Sequence, residues 1–220
     1  MENNYVITIA RGFGSGGKEI GMKVAKRLGI PCYEKQILTM ASEASGINES
    51  LFAEVDERLR NKNIFKRMQK LPFNEVAETY SSEFTSDVNL FHLQAEIIRG
   101  LADTTSCVII GKCADYVLRN YRNVISLYIE APRYVCVKSI MQKMCVDEKE
   151  ANRLIEKTDK YRADYYKYYT EGNVWTNPIN YDLTLNSHRI GRNQCVDVIE
   201  DYVKLKFGDV VGIQENDRKA

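Results

Sequence analysis

The residue types best suited to chemistry lie near the start of the chain, in the glycine-rich stretch from Gly12 to Lys18. A β-branched run at 6–9 precedes this stretch and apolar residues at helical spacing follow it, which predicts a strand, a glycine loop and a helix. Glycines permit tight turns, and the backbone N–H groups at a helix N-terminus attract anions. The stretch is therefore predicted to hold a phosphate group.

Two phosphate-binding motifs overlap in this stretch. Gly12, Gly14 and Gly17 satisfy G-x-G-x-x-G, the dinucleotide fingerprint, and Glu34 lies near the expected position of its ribose-binding acid. Gly12 and Gly17, followed by Lys18, also satisfy G-x-x-x-x-G-K, the P-loop. Lys18 favours the P-loop, because a lysine there reaches the β- and γ-phosphates and a dinucleotide site does not need one. A glycine-rich turn with a solvated lysine is the alternative without a ligand.

The residue after the P-loop lysine departs from the motif. Ser or Thr normally follows, with a hydroxyl that binds magnesium, whereas this chain has Glu19. Glu19 is the candidate Mg²⁺ ligand, and the opposite possibility, that its carboxylate repels the γ-phosphate, stays open. The residues predicted to bind ATP are Gly12, Gly14, Ser15, Gly16, Gly17, Lys18 and Glu19.

Composition narrows the class of protein. The chain has 220 residues and a formal net charge of +1, so a broad nucleic-acid-binding surface is not expected. No apolar run is long enough for a membrane span, and the N-terminal residues do not form a signal peptide. The six cysteines are scattered without a C-x-x-C pair. We expect a cytoplasmic protein, a monomer or homodimer, whose partners are small-molecule nucleotides.

Further strands are predicted along the chain, each followed by a helical pattern. They lie at 30–33, 107–110, 124–129 and 183–185. Strands that alternate with helices predict an α/β protein with a parallel sheet covered on both faces. Ligands bind at the carboxyl ends of such strands, which places Arg11, Glu34, Lys112 and Glu130 on the functional edge.

Two helical segments are too long or too charged to be plain connections. Residues from about 36 to 101 are predicted to form an inserted helical lobe, and about 147–172 a lid. The lid carries Arg153 and Arg162, which would face opposite ways on one straight helix, so we expect a break near Thr158 or Asp159 that lets them converge. A solvated helix pair is the alternative. A single domain at 1–208 and a polar tail at 209–220 complete the predicted organisation.

The chain resembles the cytidylate kinase-like family of bacterial P-loop proteins, over about 7–199. The resemblance rests on segments that occur in order: 14–21, Tyr33-Glu34, 108–118, Asp159-x-x-Arg162-x-x-Tyr165 and 175–187. A more remote similarity is to the nucleoside monophosphate kinases. Together they imply a three-layer P-loop NTPase fold with a five-stranded parallel sheet, a helical nucleotide-monophosphate-binding insertion and a helical lid.

The resemblance also implies roles for individual residues. Lys18, Arg153 and Arg162 would be the catalytic cations, with Asp159 orienting the arginines. The residues implied to bind the substrate are Glu34, Lys112, Asp115 and Asp159. The family usually carries arginine where this chain has Lys112, and typically Asp where it has Glu34.

The predicted activity is transfer of the ATP γ-phosphoryl group to a pyrimidine nucleoside monophosphate, with ATP and Mg²⁺ as cofactors. Three alternatives stay open at this stage. One is a nucleotide-binding regulatory protein with little or no turnover, which Glu19 favours slightly. The others are a kinase of another small acceptor and an NAD(P)-binding oxidoreductase.

Overall fold

The computed structural model describes residues 4–50 and 87–208, whose centre is a parallel sheet. Its strands are β1 (Val6–Arg11), β2 (Cys32–Tyr33), β3 (Cys107–Ile110), β4 (Val124–Glu130) and β5 (Leu183–Asn186). They form one five-stranded sheet in the order β2-β3-β1-β4-β5, and every strand pair is parallel. The predicted α/β class and five-stranded parallel sheet are confirmed.

Helices alternate with these strands. They are α1 (Gly17–Leu28), α2 (Gln36–Ser45), α3 (Asp87–Thr104), α4 (Ala114–Val117), α5 (Arg133–Met144), α6 (Glu148–Tyr169), α7 (Ser187–Ile190) and α8 (Arg192–Phe207). A short 3₁₀ turn, Pro178–Asn180, precedes β5. Among the described residues, no helix combines the length and apolarity needed to cross a membrane.

An extensive apolar cluster lies where α1 and α8 cover one face of the sheet. Ile7 and Ile9 of β1 pack there with Val24 of α1 and Ile199 of α8, and each is at most 1% exposed. Full burial of an aliphatic side chain contributes about 1.5–3 kcal/mol. This packing makes β1 a rigid support for the glycine loop that follows it.

Helix α1 begins and ends where its sequence indicates. Ile20, Val24 and Leu28 are buried on one face, which confirms the predicted helical spacing. Gly29 ends the helix in the left-handed conformation with φ 66°, and its N–H donates to the carbonyl oxygen of Lys26 at 3.2 Å. The N-terminus of α1 opens directly onto the glycine loop.

Helix α6 runs without interruption from Glu148 to Tyr169, so the predicted break near Thr158 or Asp159 is wrong. Asp147 caps the helix instead, since its carboxylate accepts the amide of Glu150 at 2.7 Å. No Gly or Pro interrupts the segment. Asp159 does not cap a second helix because its carboxylate accepts a backbone amide of the glycine loop.

The described residues belong to two compact units, one from Met1–Glu34 with Leu101–Ala220 and the other from Lys35–Gly100. The second unit contains α2 and most of α3. The middle of the predicted inserted lobe, 51–86, and the predicted tail, 209–220, lie outside the described residues. The boundaries predicted for the lobe, the lid and the tail stay predictions.

Candidate functional site

The loop between β1 and α1 follows a path that requires glycine at two positions. Gly14 has φ 91° and Gly16 has φ 86°, both in the left-handed region. A Cβ at Gly14 would lie 2.7 Å from the carbonyl oxygen of Cys136 in α5. A Cβ at Gly16 would lie 2.6 Å from Nε of Arg192 in α8. The loop therefore runs in direct contact with both helices, and a side chain at either glycine would displace it.

Ser15 holds the turn of this loop from the inside. Its Oγ donates to the carbonyl oxygen of Gly12 at 2.8 Å and accepts the amide of Gly17 at 3.3 Å. Its own carbonyl oxygen accepts the hydroxyl of Ser187 at 2.6 Å. Ser15 is only 1% exposed, so its hydroxyl points into the protein. Of the residues predicted to bind ATP, Ser15 is thus placed to shape the loop.

The backbone of the loop presents donors at the N-terminus of α1. The helix starts after Gly16 without a side-chain cap. The amides of Gly14 and Gly16 donate to no acceptor among the described residues. Bare amides and the positive end of a helix dipole together attract a phosphate group. The loop therefore presents the donors that a phosphate-binding site needs.

Glu34 connects the loop lysine to a buried arginine. One carboxylate oxygen lies 2.5 Å from Nζ of Lys18, and the other lies 2.9 Å from Nη2 of Arg11. Burial alone would raise the pKa of Glu34, but the hydrogen bond from Lys18 and the charge of Arg11 outweigh it and lower that pKa. Glu34 is therefore ionised at neutral pH and pairs with the cation that a bound phosphate would need.

Asp159 and Arg162 attach α6 to the loop. Oδ1 of Asp159 accepts the amide of Phe13 at 2.8 Å and Nη1 of Arg162 at 3.2 Å. The same Nη1 donates to the carbonyl oxygen of Arg11 at 2.9 Å. Burial lowers the pKa of Arg162, and the carboxylate of Asp159 opposes that shift. With Lys18 and Arg11, Arg162 brings a third cation to the carboxyl end of β1.

Arg153 lies on the side of α6 that faces away from Arg162. Nine residues at about 100° each place it on the side of α6 opposite to Arg162. Its side chain is 60% exposed and donates to both carboxylate oxygens of Glu150, from Nε at 2.7 Å and from Nη2 at 2.5 Å. The structure does not bring the two predicted lid arginines together. The catalytic role of Arg153 stays a prediction that needs a rearrangement of α6.

Glu19 faces cations on several sides. Its carboxylate lies 2.8 Å from Nη1 of Arg192, 3.4 Å from Nζ of Lys23 and 3.8 Å from Nζ of Lys143. Because this carboxylate is already paired with an arginine and lies near two lysines, it is poorly suited to bind Mg²⁺. The described residues also contain no group of three or more His, Cys, Asp or Glu side chains that could hold a metal ion.

Lys112 occupies a strained turn at the end of β3. Gly111, Lys112 and Cys113 all have positive φ, at 77°, 60° and 53°. Non-glycine residues adopt this conformation only when their surroundings enforce it. A side chain at Gly111 would collide with the guanidinium of Arg11, so this turn packs directly against that arginine.

Asp115 is separate from the loop cations and faces a cavity. The residue is 8% exposed, and its carboxylate accepts the hydroxyl of Tyr166 at 2.7 Å. Burial raises the pKa of Asp115 to about 6, and the hydrogen bond from Tyr166 opposes the rise. Both residues line a cavity of 630 Å³ with Ser126, Asp182 and Lys206. The cavity is large enough for a small-molecule ligand, a size for which about 300–1,000 Å³ is typical.

The model of the cytidylate kinase-like family matches residues 6–189. The chain belongs to this family. The strand order also favours the P-loop motif over the overlapping dinucleotide fingerprint. Dinucleotide-binding sheets place the second strand beside the first, whereas here β3 lies beside β1. The P-loop prediction is favoured over the dinucleotide prediction on both grounds.

Solved structures share the fold of this cytidylate kinase-like protein. An uncharacterized protein from Eubacterium ventriosum ATCC 27560 is 26% identical, with a TM-score of 0.67 over 91% of this chain and 99% of its own. A sugar kinase from Janibacter sp. HTCC2649 is 16% identical, with a TM-score of 0.50 over 94% and 98%. A comparison with curated proteins found no match. The P-loop NTPase fold predicted from the sequence is confirmed.

Sequence reasoning missed part of the site in this cytidylate kinase-like protein. The sequence places Arg11 on the functional edge without a role. In the structure its side chain pairs with Glu34, and its carbonyl oxygen accepts a hydrogen bond from Arg162. A cation between a strand end and the first loop glycine is a signal that could have found it. Arg192 gave no such signal, because it lies 173 residues from its partner Glu19.

Proposed function

We propose that this protein binds ATP in the loop from Gly12 to Lys18 and transfers the γ-phosphoryl group to a pyrimidine nucleoside monophosphate. The observation that carries the proposal is the preformed loop with bare amides, beside which Lys18, Arg11 and Arg162 converge. Membership of the cytidylate kinase-like family supports the same activity. The loop amides and Lys18 would hold the donor phosphates.

The proposed reaction is an in-line displacement without a covalent enzyme intermediate. An oxygen of the acceptor phosphate attacks the γ-phosphorus, the bond from that phosphorus to the β–γ bridging oxygen breaks, and ADP leaves. Charge on the transferred group would be met by Lys18 and by the guanidinium of Arg162. Arg153 would join them only if α6 rearranges. An acceptor phosphate is already ionised at neutral pH, so no dedicated general base is required.

The acceptor would bind on the side of the site where the turn after β3 meets Arg11. Lys112 in that turn offers a positive charge, although as a point charge without the fork of an arginine. Asp159, Glu34 and Asp115 are the carboxylates proposed to orient the acceptor. Asp115 faces its own cavity, so its contact with an acceptor depends on how far a ligand extends toward Tyr166.

Magnesium is expected to accompany ATP and would neutralise charge on its phosphates. Mg²⁺ commonly keeps several waters and is held largely by substrate phosphates, so it does not require a protein cage. The surroundings of Glu19 do not fit the metal-ligand role predicted for it, and no residue of this chain is assigned to the ion.

A nucleotide-binding regulator without turnover is the second candidate. The ion pair between Lys18 and Glu34 favours it, because the lysine is already neutralised before any phosphate arrives. The two candidates share the loop and differ in whether a bound nucleotide is consumed.

Production of ADP from ATP and magnesium across a panel of nucleoside monophosphates tests the proposal. We expect ADP to form faster with CMP, dCMP or UMP than with AMP or GMP, and Lys18→Ala to abolish the reaction. Binding of ATP without acceptor-dependent ADP would favour the regulator. Faster ADP formation with AMP or GMP than with CMP, dCMP or UMP would keep the kinase and overturn the proposed substrate.

A further inference from the structure

Polar contacts join α1 to the first half of α8. Near the glycine loop Glu19 pairs with Arg192 at 2.8 Å, and at the far end Arg27 pairs with Asp197 at 2.6 Å. Between these pairs, Nζ of Lys23 donates to Oδ1 of Asn193 at 3.1 Å. Only the first pair touches the loop, so the other contacts provide an internal comparison on the same two helices.

Arg192 has neighbours in α1, α5 and the loop. Its Nη1 donates to Glu19 and its Nη2 to the hydroxyl of Ser139 at 3.3 Å. Its Nε lies so close to Gly16 that a Cβ on this glycine would be 2.6 Å away. The guanidinium is thus clamped between two helices and rests on the backbone of the glycine that precedes α1.

We propose that Glu19 is a positioning residue, which anchors Arg192 against Gly16 and thereby sets the path of the phosphate-binding loop. In a P-loop the hydroxyl at this position reaches the metal. In this chain the carboxylate has a different partner, and the loop is stabilised by a carboxylate–guanidinium pair. The inference rests on the proposed function only for the identity of the ligand that the loop holds.

The charges around Glu19 explain why it anchors a side chain and does not bind a metal. A divalent cation at this carboxylate would have to approach Arg192, Lys23 and Lys143, each within 4 Å of a carboxylate oxygen. Like charges at such separations repel, and part of the pairing would have to be broken. A charge-assisted hydrogen bond from Arg192 already occupies one carboxylate oxygen of Glu19. The dependence of nucleotide binding on magnesium is therefore expected not to involve Glu19.

Thermal unfolding without any ligand tests the pair itself. Glu19→Gln, Arg192→Gln and the double variant form a cycle, and we expect each single variant to lower Tm by no more than about 2–4 °C. The double variant should unfold no lower than the weaker single variant, because the second substitution has no partner left to lose. Additive losses would overturn the pairing. Arg27→Gln with Asp197→Asn gives a comparison cycle farther along the same two helices, where Arg27 also pairs with Glu200 at 3.0 Å.

Nucleotide binding then separates an anchor from a metal ligand. The probe is a fluorescent ADP analogue, measured with magnesium and with EDTA for the wild type, Glu19→Gln and Arg192→Gln. We expect both variants to lose affinity equally, by up to about tenfold, with the ratio of the two dissociation constants unchanged. The Arg27→Gln variant should bind as the wild type does.

Loss of the magnesium effect in Glu19→Gln, with that effect retained in Arg192→Gln, would make Glu19 a metal ligand and overturn the inference. Wild-type affinity in both variants would also overturn it, because the pair would then not shape the loop. If the wild type binds no nucleotide, the proposed function fails. In that case limited proteolysis of the loop in the two variants decides the inference, which predicts faster cleavage in both and is overturned by unchanged cleavage.

Discussion

Nζ of Lys18 lies 2.5 Å from a carboxylate oxygen of Glu34, so the cation of the phosphate-binding loop is paired with an internal anion. The lysine side chain is nevertheless 57% exposed, whereas that of Glu34 is 22% exposed. An arriving phosphate can therefore reach the lysine from solvent and compete with the carboxylate. Nucleotide binding in this protein is expected to be an exchange of anions on Lys18.

Removal of the lysine should abolish that exchange. Lys18→Ala is expected to eliminate detectable ADP binding and any phosphoryl transfer while Tm changes little, because the side chain is largely exposed. Isothermal titration with ADP and a thermal melt check both statements. Lys26→Ala, an exposed lysine of the same helix, is the matched control and should bind ADP normally. Unchanged affinity in a folded Lys18→Ala variant would contradict the P-loop assignment.

Removal of the internal anion should have the opposite effect. In Glu34→Gln, Lys18 and Arg11 lose their carboxylate partner, so an added polyanion no longer competes with it. We expect tripolyphosphate to bind several-fold more tightly than to the wild type, which corresponds to about 1 kcal/mol. Glu150→Gln removes a carboxylate that pairs with an arginine on the far side of α6 and should change nothing. Weaker binding in Glu34→Gln would mean that Glu34 helps to hold the ligand.

The strand–loop–helix unit was predictable because its signals are local. The apolar run of β1, the glycines of the loop and the spacing of Ile20, Val24 and Leu28 all act over a few residues. Gly29 then ends α1 where a left-handed residue is needed. Strand order was not predictable in the same way, because no local pattern tells that β3 lies beside β1.

The contacts that complete the site depend on residues far apart in sequence. Asp159 looked suited to cap a helix, but its partner is the amide of Phe13, 146 residues away, and α6 continues past it. Glu19 looked suited to a metal, but Arg192 takes its carboxylate across 173 residues. In both cases the sequence shows a carboxylate, and only the tertiary structure shows which donor it meets.

The buried carboxyl of Asp115 should make stability depend on pH. Its pKa is raised from 3.8 to about 6, so the folded protein holds a proton that the unfolded chain releases. Retention of this proton stabilises the folded protein by on the order of 3 kcal/mol. That stabilisation is fully present below pH 3.8 and is lost as the pH rises through 6. The asparagine of Asp115→Asn stays neutral at all these pH values. Between pH 4 and pH 7 the free energy of unfolding should therefore fall in the wild type by more than it falls in the variant.

Urea unfolding at several pH values measures that difference. Tyr166→Phe is the informative companion, because the hydroxyl of Tyr166 opposes the rise in the pKa of Asp115. Loss of this hydroxyl should shift the fall in stability to a higher pH than in the wild type. Parallel pH profiles for Asp115→Asn and the wild type would show that the carboxyl does not change its protonation on folding.

The two arginines of α6 provide the sharpest test of the proposed chemistry. Arg162 reaches the loop and donates to the carbonyl oxygen of Arg11, whereas Arg153 pairs with Glu150 on the exposed opposite side. A cation that meets charge on the transferred group acts mainly in the transition state, so its loss lowers kcat more than ATP affinity. We expect Arg162→Ala to lower kcat by on the order of a thousandfold and Arg153→Ala to leave it near the wild-type value. Arg162→Lys keeps the charge but loses the fork, and should restore only part of the rate.

The measurements are kcat, the dissociation constant for ATP and Tm, with the acceptor that the nucleotide panel identifies. An equal large loss in both alanine variants would mean that α6 rearranges to bring Arg153 over the donor, and near-normal turnover in both would remove α6 from the catalytic site.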